Sequence, residues 1–385
     1  MQNNKKIKIC HVASADITVK FLLLSQLKFL KQQGYDVYAI SSPGKWIKQI
    51  ENEGIKIKTI NIKRKISPLS DLIALAQLFF YFKKEKFDIV HTHTPKPGLI
   101  GQMAAKMAGV PIVINTIHGL YFGNKFSKFK KDFYLFIEKL SAKFSDLIFS
   151  QNKEDLATIK EKNIAPGKIV EYLGNGIDTE KFSRERFSKE FLYEKKGKMH
   201  IPDNAKIVGC IGRLVKEKGY LELFSAFEKV IEVMPEAFLL VIGPEDGVKK
   251  DSFNRSIIKN YRCKDNVVFL GEREDVDEIY PLMDVFVLAS HREGFPRTII
   301  EAMSEGVPVI ATNIRGCREA INDKENGILV PLENAEELAN QIVFLLSNKG
   351  KAKELAQKAR EKAVSQFNEK RVFEKIRAEY ENFLN

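Results

Sequence analysis

Short apolar runs alternate with amphipathic stretches along the first half of the chain. The run "IKICHVAS" (7–14) is uninterrupted enough for a strand buried on both faces. "VKFLLLSQLKFLKQQG" follows with helical spacing and a glycine stop at Gly34. Strands are then predicted in "YDVYAIS", "IKIKTINI", "FDIVHTHTP", "PIVINTIHG", "SDLIFSQN" and "KIVEYLGNGID". Helices are predicted around 46–52, 69–84 and 99–108, and a long amphipathic segment covers 126–144. The alternation predicts a parallel, doubly wound sheet.

A charged, weakly periodic stretch (181–204) interrupts the pattern and reads as a linker near 178–205. The pattern restarts with "KIVGCIGR", "AFLLVIGPEDG", "NVVFLGE", "DVFVLAS" and "VPVIATN", with helices between them. The expected fold class is α/β with two Rossmann-like domains. Residues 1–180 form an N-terminal domain and 181–367 a C-terminal domain. A final amphipathic helix, 368–385, closes the second domain or crosses back onto the first. Ligands bind at the carboxyl ends of parallel strands, so two such sheets facing each other would make a cleft.

A length of 385 residues agrees with two domains, and 44% apolar with 29% charged residues fits a soluble globular protein. The N-terminus lacks the apolar core of a secretory signal. The most apolar stretch, near 72–82, is short for a membrane span and suits a buried helix. Cys10, Cys210, Cys263 and Cys317 are scattered without metal-ligand spacing or a disulfide framework. A reducing cytoplasm is the expected compartment. The net charge of +12 is unevenly spread: residues 1–180 hold 28 Lys and Arg against 16 Asp and Glu, while 181–385 hold 34 of each. A basic first half suits an anionic partner, either a phosphate-bearing acceptor, a nucleic acid or an anionic membrane face. It equally suits plain solubility.

Candidate chemistry lies at predicted strand ends. In "GRLVKEKG" (212–219), Arg213 sits at a strand tip and Lys218-Gly219 at the next helix start. Two cations with nearby backbone amides suit a diphosphate, although a lysine-rich surface loop looks the same. In "HREGFPRTIIEAM" (291–303), Gly294 permits a tight turn and Pro296 fits only the first turn of a helix. Amides of Gly294, Phe295, Pro296, Thr298 and Ile299 would face an anion, helped by the helix dipole. Glu293 before the turn suits sugar hydroxyls, and Glu301 can take both hydroxyls of a ribose; a solvent-facing Glu301 is the bland alternative. Gly243 ends another strand, as His118 does in the first half.

These stretches together resemble the retaining family 4 glycosyltransferases, which have the GT-B fold. Glu293 and Glu301 match that family's E-x7-E signature, and "GRLVKEKG" is similar to its Arg/Lys diphosphate motif. "TIHG", "GVPVIATNIRGCREAI" and "ENGILV" also resemble its conserved stretches. The resemblance covers most of the chain and is strongest over 205–331. It implies transfer of a sugar from a nucleotide-sugar donor, a UDP-sugar first, to a glycan or polyprenyl-diphosphate-linked acceptor in surface-polysaccharide synthesis. Arg213 and Lys218 would hold the donor diphosphate, Glu301 the ribose, Glu293 the donor sugar, and His118 would approach that sugar from the opposite domain. No metal or other cofactor is implied, because two cations and a helix start supply positive charge. The loop after the first strand departs from the family's Gly-Gly turn. It carries Asp16 and Thr18 instead, which are candidates to line the cleft.

Other signals are weaker. Asp275-Val-Asp277 matches a metal-binding D-x-D, but aspartate is an ordinary N-cap at a strand-to-helix junction. His91-Thr-His93 has no Cys or Asp at ligand spacing, so strand-end packing or cleft lining is the simpler reading. The Lys- and Phe-rich segment 124–144 could lie on an anionic membrane, as a peripheral protein on the inner face of the plasma membrane would. It could equally pack on its own sheet. A nucleotide-sugar epimerase of the same architecture is the alternative enzyme. A nucleic-acid-binding protein is the alternative class, and the absence of any nucleic-acid motif argues against that partner.

Overall fold

The computed structural model describes residues 6–63, 67–120, 127–245 and 252–385. Two compact units divide the chain. The first comprises residues up to Gly174 together with Val372–Asn385, and the second comprises Asn175–Arg371.

The first unit is a seven-stranded sheet: β1 (Lys8–Val12), β2 (Asp36–Ser41), β3 (Lys56–Thr59), β4 (Ile89–His93), β5 (Ile112–Ile117), β6 (Leu147–Ser150) and β7 (Ile169–Tyr172). Its order is β3-β2-β1-β4-β5-β6-β7, with every pairing parallel. Central strands are buried throughout, which is why they read as continuous apolar runs. The helix predicted around 99–108 opens with a π-helical turn, Pro97–Gly101, before Gln102–Ala108. Phe126 lies outside the described residues, and the helix after it is Lys128–Ala142.

The second unit holds β8 (Lys206–Ile211), β9 (Ala237–Ile242), β10 (Val267–Gly271), β11 (Val285–Leu288), β12 (Val309–Thr312) and β13 (Ile328–Val330). These form a parallel sheet ordered β10-β9-β8-β11-β12-β13. The apolar-run reading gave five strands here; β13 has only three residues, too few to show a period.

Two expectations change. The division falls after Gly174 rather than at 180, because Ile177 and Phe182 are buried in the core of the second unit. Ile177 N–H also donates to Phe367 O at 2.9 Å. Nor is 178–205 a linker. It holds the helix Lys189–Gly197, and its charges are spent on distant partners of the same unit: Arg186 on Asp277 at 2.8 Å and Lys195 on Asp275 at 2.5 Å. The final helix, Glu369–Leu384, sends Ile376 and Tyr380 into the core of the first unit beside Leu27, Ile89 and Phe149.

Glu305, which follows the helix Arg297–Ser304, is 1% exposed, and neither carboxylate oxygen has a hydrogen-bond partner. Burial, with Asp277 adding to it, pushes its carboxyl up from 4.5 to about 8, against the pull of Arg186 and Arg360. The folded state therefore holds this proton more tightly than the unfolded chain, and stability falls as pH rises from about 4.5 to about 8. The Glu305→Gln variant lacks that loss. Its melting temperature relative to wild type should climb across that window and level off above it; a pH-independent difference would contradict the assignment.

Candidate functional site

In the second unit the strand order reverses between β8 and β11, and their carboxyl ends carry the two charged loops. Past β8 the chain turns through Gly212 and Arg213 into the short 3-10 turn Lys216–Lys218, then enters the helix Tyr220–Val233. Gly219 joins the two with φ 71°. A Cβ there would lie 1.9 Å from the Ala289 carbonyl oxygen, so only glycine lets the loop sit against the end of β11.

Lys218 Nζ donates to Glu293 Oε1 at 2.5 Å, and both side chains are largely buried. The loops are clamped beside this contact. Arg292 Nε donates to Glu217 at 2.7 Å, His291 N–H to Glu217 O at 2.9 Å, and the His291 ring pairs with Glu222 at 2.8 Å. Tyr220 Oη donates to Gly212 O at 2.7 Å. Gly243 approaches from the end of β9: its φ is 145°, and a Cβ would lie 1.9 Å from Gly212 O. Arg213, Lys218, Gly243, Glu293 and Gly294 thus share one end of one sheet. An ammonium has three donors, so Lys218 can meet Glu293 and an anion together.

Below the turn, sequence reasoning missed two supports. Gly316, in the helix Arg315–Ala320, lies so close that a Cβ would stand 2.6 Å from Gly294 O and 2.7 Å from Glu293 O. Buried Asn175 donates from Nδ2 to Phe295 O at 3.0 Å. Gly316 stood in a stretch quoted only for its resemblance, and Asn175 in one quoted only as a strand; neither spacing hints at the contact.

Several assignments need correction. Phe295 and Ile299 bury their side chains in the core, so neither side chain meets a ligand. Pro296 has no N–H to offer; it is the N-cap of Arg297–Ser304 with ψ 115°. The Ile299 amide already donates to Pro296 O at 3.3 Å. Thr298 is half-buried in the first turn, its carbonyl accepting from Tyr280 Oη at 3.2 Å. Glu301 does not simply face solvent. Its Oε2 accepts from Tyr280 Oη at 2.9 Å, and Arg297 stands 3.9 Å from Oε1. Burial raises its carboxyl, opposed by Arg297 and Tyr280. Asp275 sits at an N-cap position without a capping bond. Hydrogen bonds from Arg273 and Lys195 hold its carboxyl well down, and Asp277 is paired with Arg186.

Asp16, Thr18 and His118 belong to the first unit. Asp16 is no free cleft residue: its carboxylate accepts from Trp46 N–H at 2.8 Å and Ile17 N–H at 2.9 Å, bracing two loops. Thr18 is half-buried at the end of the short helix Asp16–Thr18. His118 follows β5 with both ring nitrogens engaged, Nδ1 with Gln151 Oε1 at 3.0 Å and Nε2 with His93 at 3.0 Å. Burial lowers it to about 4, partly offset by Gln151, so the ring is neutral near pH 7. His91 and His93 are buried too, joined by His11 from the neighbouring strand.

The Gly316→Ala variant should loosen the Glu293–Gly294 turn at a cost of about 1–3 kcal/mol. Hydrogen exchange should speed up in peptides covering 290–296 while β9 and β10 keep their protection. Unchanged exchange in the turn would show that the close approach is not what holds it.

Residues 193–362 match the family model described as glycosyl transferases group 1, and residues 8–152 match glycosyl transferase 4-like. The chain is 31% identical to the Escherichia coli UDP-Gal:alpha-D-GlcNAc-diphosphoundecaprenol alpha-1,3-galactosyltransferase, covering 98% of this chain and 97% of that protein. It is 32% identical to the capsular polysaccharide biosynthesis glycosyltransferase CapM of Staphylococcus aureus, over 99% and 98% of the two chains. The crystal structure of a glycosyltransferase from Rickettsia africae ESF-5 superimposes with a TM-score of 0.81 at 26% identity, covering 99% of both chains. With motifs, two parallel sheets and full-length relatives in agreement, the chain belongs to the group 1, family 4-like glycosyltransferases of GT-B fold.

Proposed function

We propose that this glycosyltransferase moves a hexose or N-acetylhexosamine, with retention, from a UDP-sugar to a polyprenyl-diphosphate-linked sugar during surface-polysaccharide synthesis. One observation carries the site assignment: Lys218 and Glu293, 75 residues apart in sequence, meet at 2.5 Å in a clamped pair of loops. Lys218 and Arg213 offset the charge that builds on the departing diphosphate. Glu293 accepts from donor-sugar hydroxyls while steering Lys218. The Gly294 turn and the Arg297–Ser304 helix start lie where the helix dipole favours phosphate or sugar oxygens. Glu301 Oε1 takes the ribose while Tyr280 holds Oε2. His118, neutral and with both ring nitrogens taken by Gln151 and His93, meets the sugar with its ring edge. The donor base and acceptor follow those of the Escherichia coli galactosyltransferase. Metal-free catalysis is supported by Asp275 and Asp277, whose carboxylates are committed to cations of their own chain.

The acceptor reading brings an anionic bilayer with it as partner. In the first unit, Leu69, Leu72, Ile73 and Phe80 are exposed on the helix Pro68–Glu85, and Phe129, Phe133 and Phe136 on Lys128–Ala142. Their spacing puts each set on one helix face. Both helices pack against Pro97–Gly101. Phe129 is 84% exposed with Lys128, Lys130 and Lys131 beside it, an arrangement that suits a lipid surface. No helix among the described residues is long and apolar enough to cross a membrane.

A thermal-shift screen with UDP-, GDP- and ADP-sugars should single out a UDP-sugar, and turnover with a lipid-diphosphate sugar acceptor should survive EDTA. Lys218→Ala and Glu293→Ala should each lower kcat at least about 100-fold with the melting temperature retained. Near-normal turnover in either variant removes it from the site. In flotation with anionic vesicles at low salt, wild type should rise with the lipid. A Phe129→Ser, Phe136→Ser double variant should stay behind. A wild-type protein that fails to float would rule out the membrane partner.

A further inference from the structure

Hydrogen bonds run unbroken through four histidines of the first unit, where the strand order reverses between β1 and β4. Gln151 Oε1 lies 3.0 Å from His118 Nδ1, and His118 Nε2 lies 3.0 Å from His93 Nδ1. His93 Nε2 lies 2.9 Å from His11 Nδ1. Tyr380 Oη, from the final helix, lies 3.4 Å from His11 Nε2 and 2.6 Å from His91 Nδ1. His91 Nε2 ends the run 2.7 Å from Thr116 Oγ1. His11, His91, His93 and Tyr380 are buried to within 1%.

Burial keeps all four rings neutral: His11 falls to about 3, and His91 and His93 lie well below the ordinary value. A neutral imidazole has one N–H and one lone pair, so each ring must donate through one nitrogen and accept through the other. With Gln151 Oε1 as a pure acceptor, His118 must donate from Nδ1 and accept at Nε2. His93 must then donate from Nδ1, and so must His11. Tyr380 gives its proton to His11 and accepts from His91 Nδ1, and Thr116 donates to His91. One end of the run decides every tautomer. The opposite polarity needs the Gln151 amide turned over and all the protons shifted together. A mixed arrangement leaves two lone pairs, or two N–H groups, facing each other in a dry interior, where the lost hydrogen bonds are not replaced by water.

The nitrogens of His11, His91 and His93 also lie within 4.8 Å of one another, close enough to suggest a metal site. The ring planes argue otherwise. His91 and His93 stack at 4.4 Å, 23° from parallel, and His11 and His93 are 12° from parallel. Lone pairs lie in the ring planes, and here they point at neighbouring nitrogens instead of a common centre.

We infer that Gln151 is a positioning residue whose carbonyl, through one relay of His118, His93, His11, Tyr380 and His91, fixes which ring nitrogen of each of the four histidines carries the proton. The link to turnover rests on the role proposed for His118; the relay itself does not. Nitrogen NMR of the full chain labelled in histidine tests it directly. In wild type, His11, His91, His93 and His118 should all be protonated on Nδ1. Gln151→Lys replaces the terminal acceptor with a donor, so all four should switch to Nε2–H together. With Tyr380→Phe added, His11, His93 and His118 should still switch while His91 keeps its original form. Mixed tautomers in wild type, or a switch confined to His118, overturns the relay. Kinetics separates the second question: Gln151→Lys should lower kcat more than it changes KM. Switching tautomers with an unaltered kcat would keep the relay and remove His118 from the reaction.

Discussion

The reversal of strand order between β8 and β11 is the constraint on which the site depends. On either side of a reversal the chain leaves for opposite faces of the sheet, and the carboxyl ends part to leave room. Here backbone packs closely around that room. Gly219 lies against Ala289, Gly243 against Gly212, and Gly316 against Glu293 and Gly294, at distances only hydrogen can occupy. The contact between Lys218 and Glu293 follows from that crowding, because neither loop can retreat without lifting the other. The same reversal between β1 and β4 sets His11 beside His91, and the pairing of β4 with β5 brings His93 within reach of His118. The two units use one topological device for different chemistry, ions in one and neutral rings in the other.

Much of this was legible in the sequence because buried parallel strands leave an unmistakable trace. Runs such as 206–211 and 285–288 have no polar face to show, and the loops after them carried Arg213, Lys218 and Glu293 in recognisable order. Three kinds of feature were not legible. β13 is too short to have a period. The stretch 178–205 looked like a linker because its charges find partners some 80–90 residues away, as Arg186 does with Asp277. The histidine run joins positions up to 369 residues apart, and sequence pattern reports only neighbours. Pro296 and Ile299 show a subtler limit: the amide reading gave an N–H to a proline, and the Ile299 amide is already bonded to Pro296 O.

The resemblance supplied roles, and the geometry changed their content. Glu301 is held by Tyr280 from below, so its orientation is fixed before a ligand arrives. Asp16 ties its loop to the Trp46 backbone. His118 gained partners that no motif predicted.

Residues 372–385 belong to the core that residues 6–174 begin, with Tyr380 and Ile376 sealed among its strands and helices. On the ribosome this inverts the usual order. The half synthesised first cannot close until the half synthesised second has already emerged, so the early sheet must wait, unfinished, behind a later one that can complete itself. Loss of residues 372–385 would leave the later unit intact and the earlier one open.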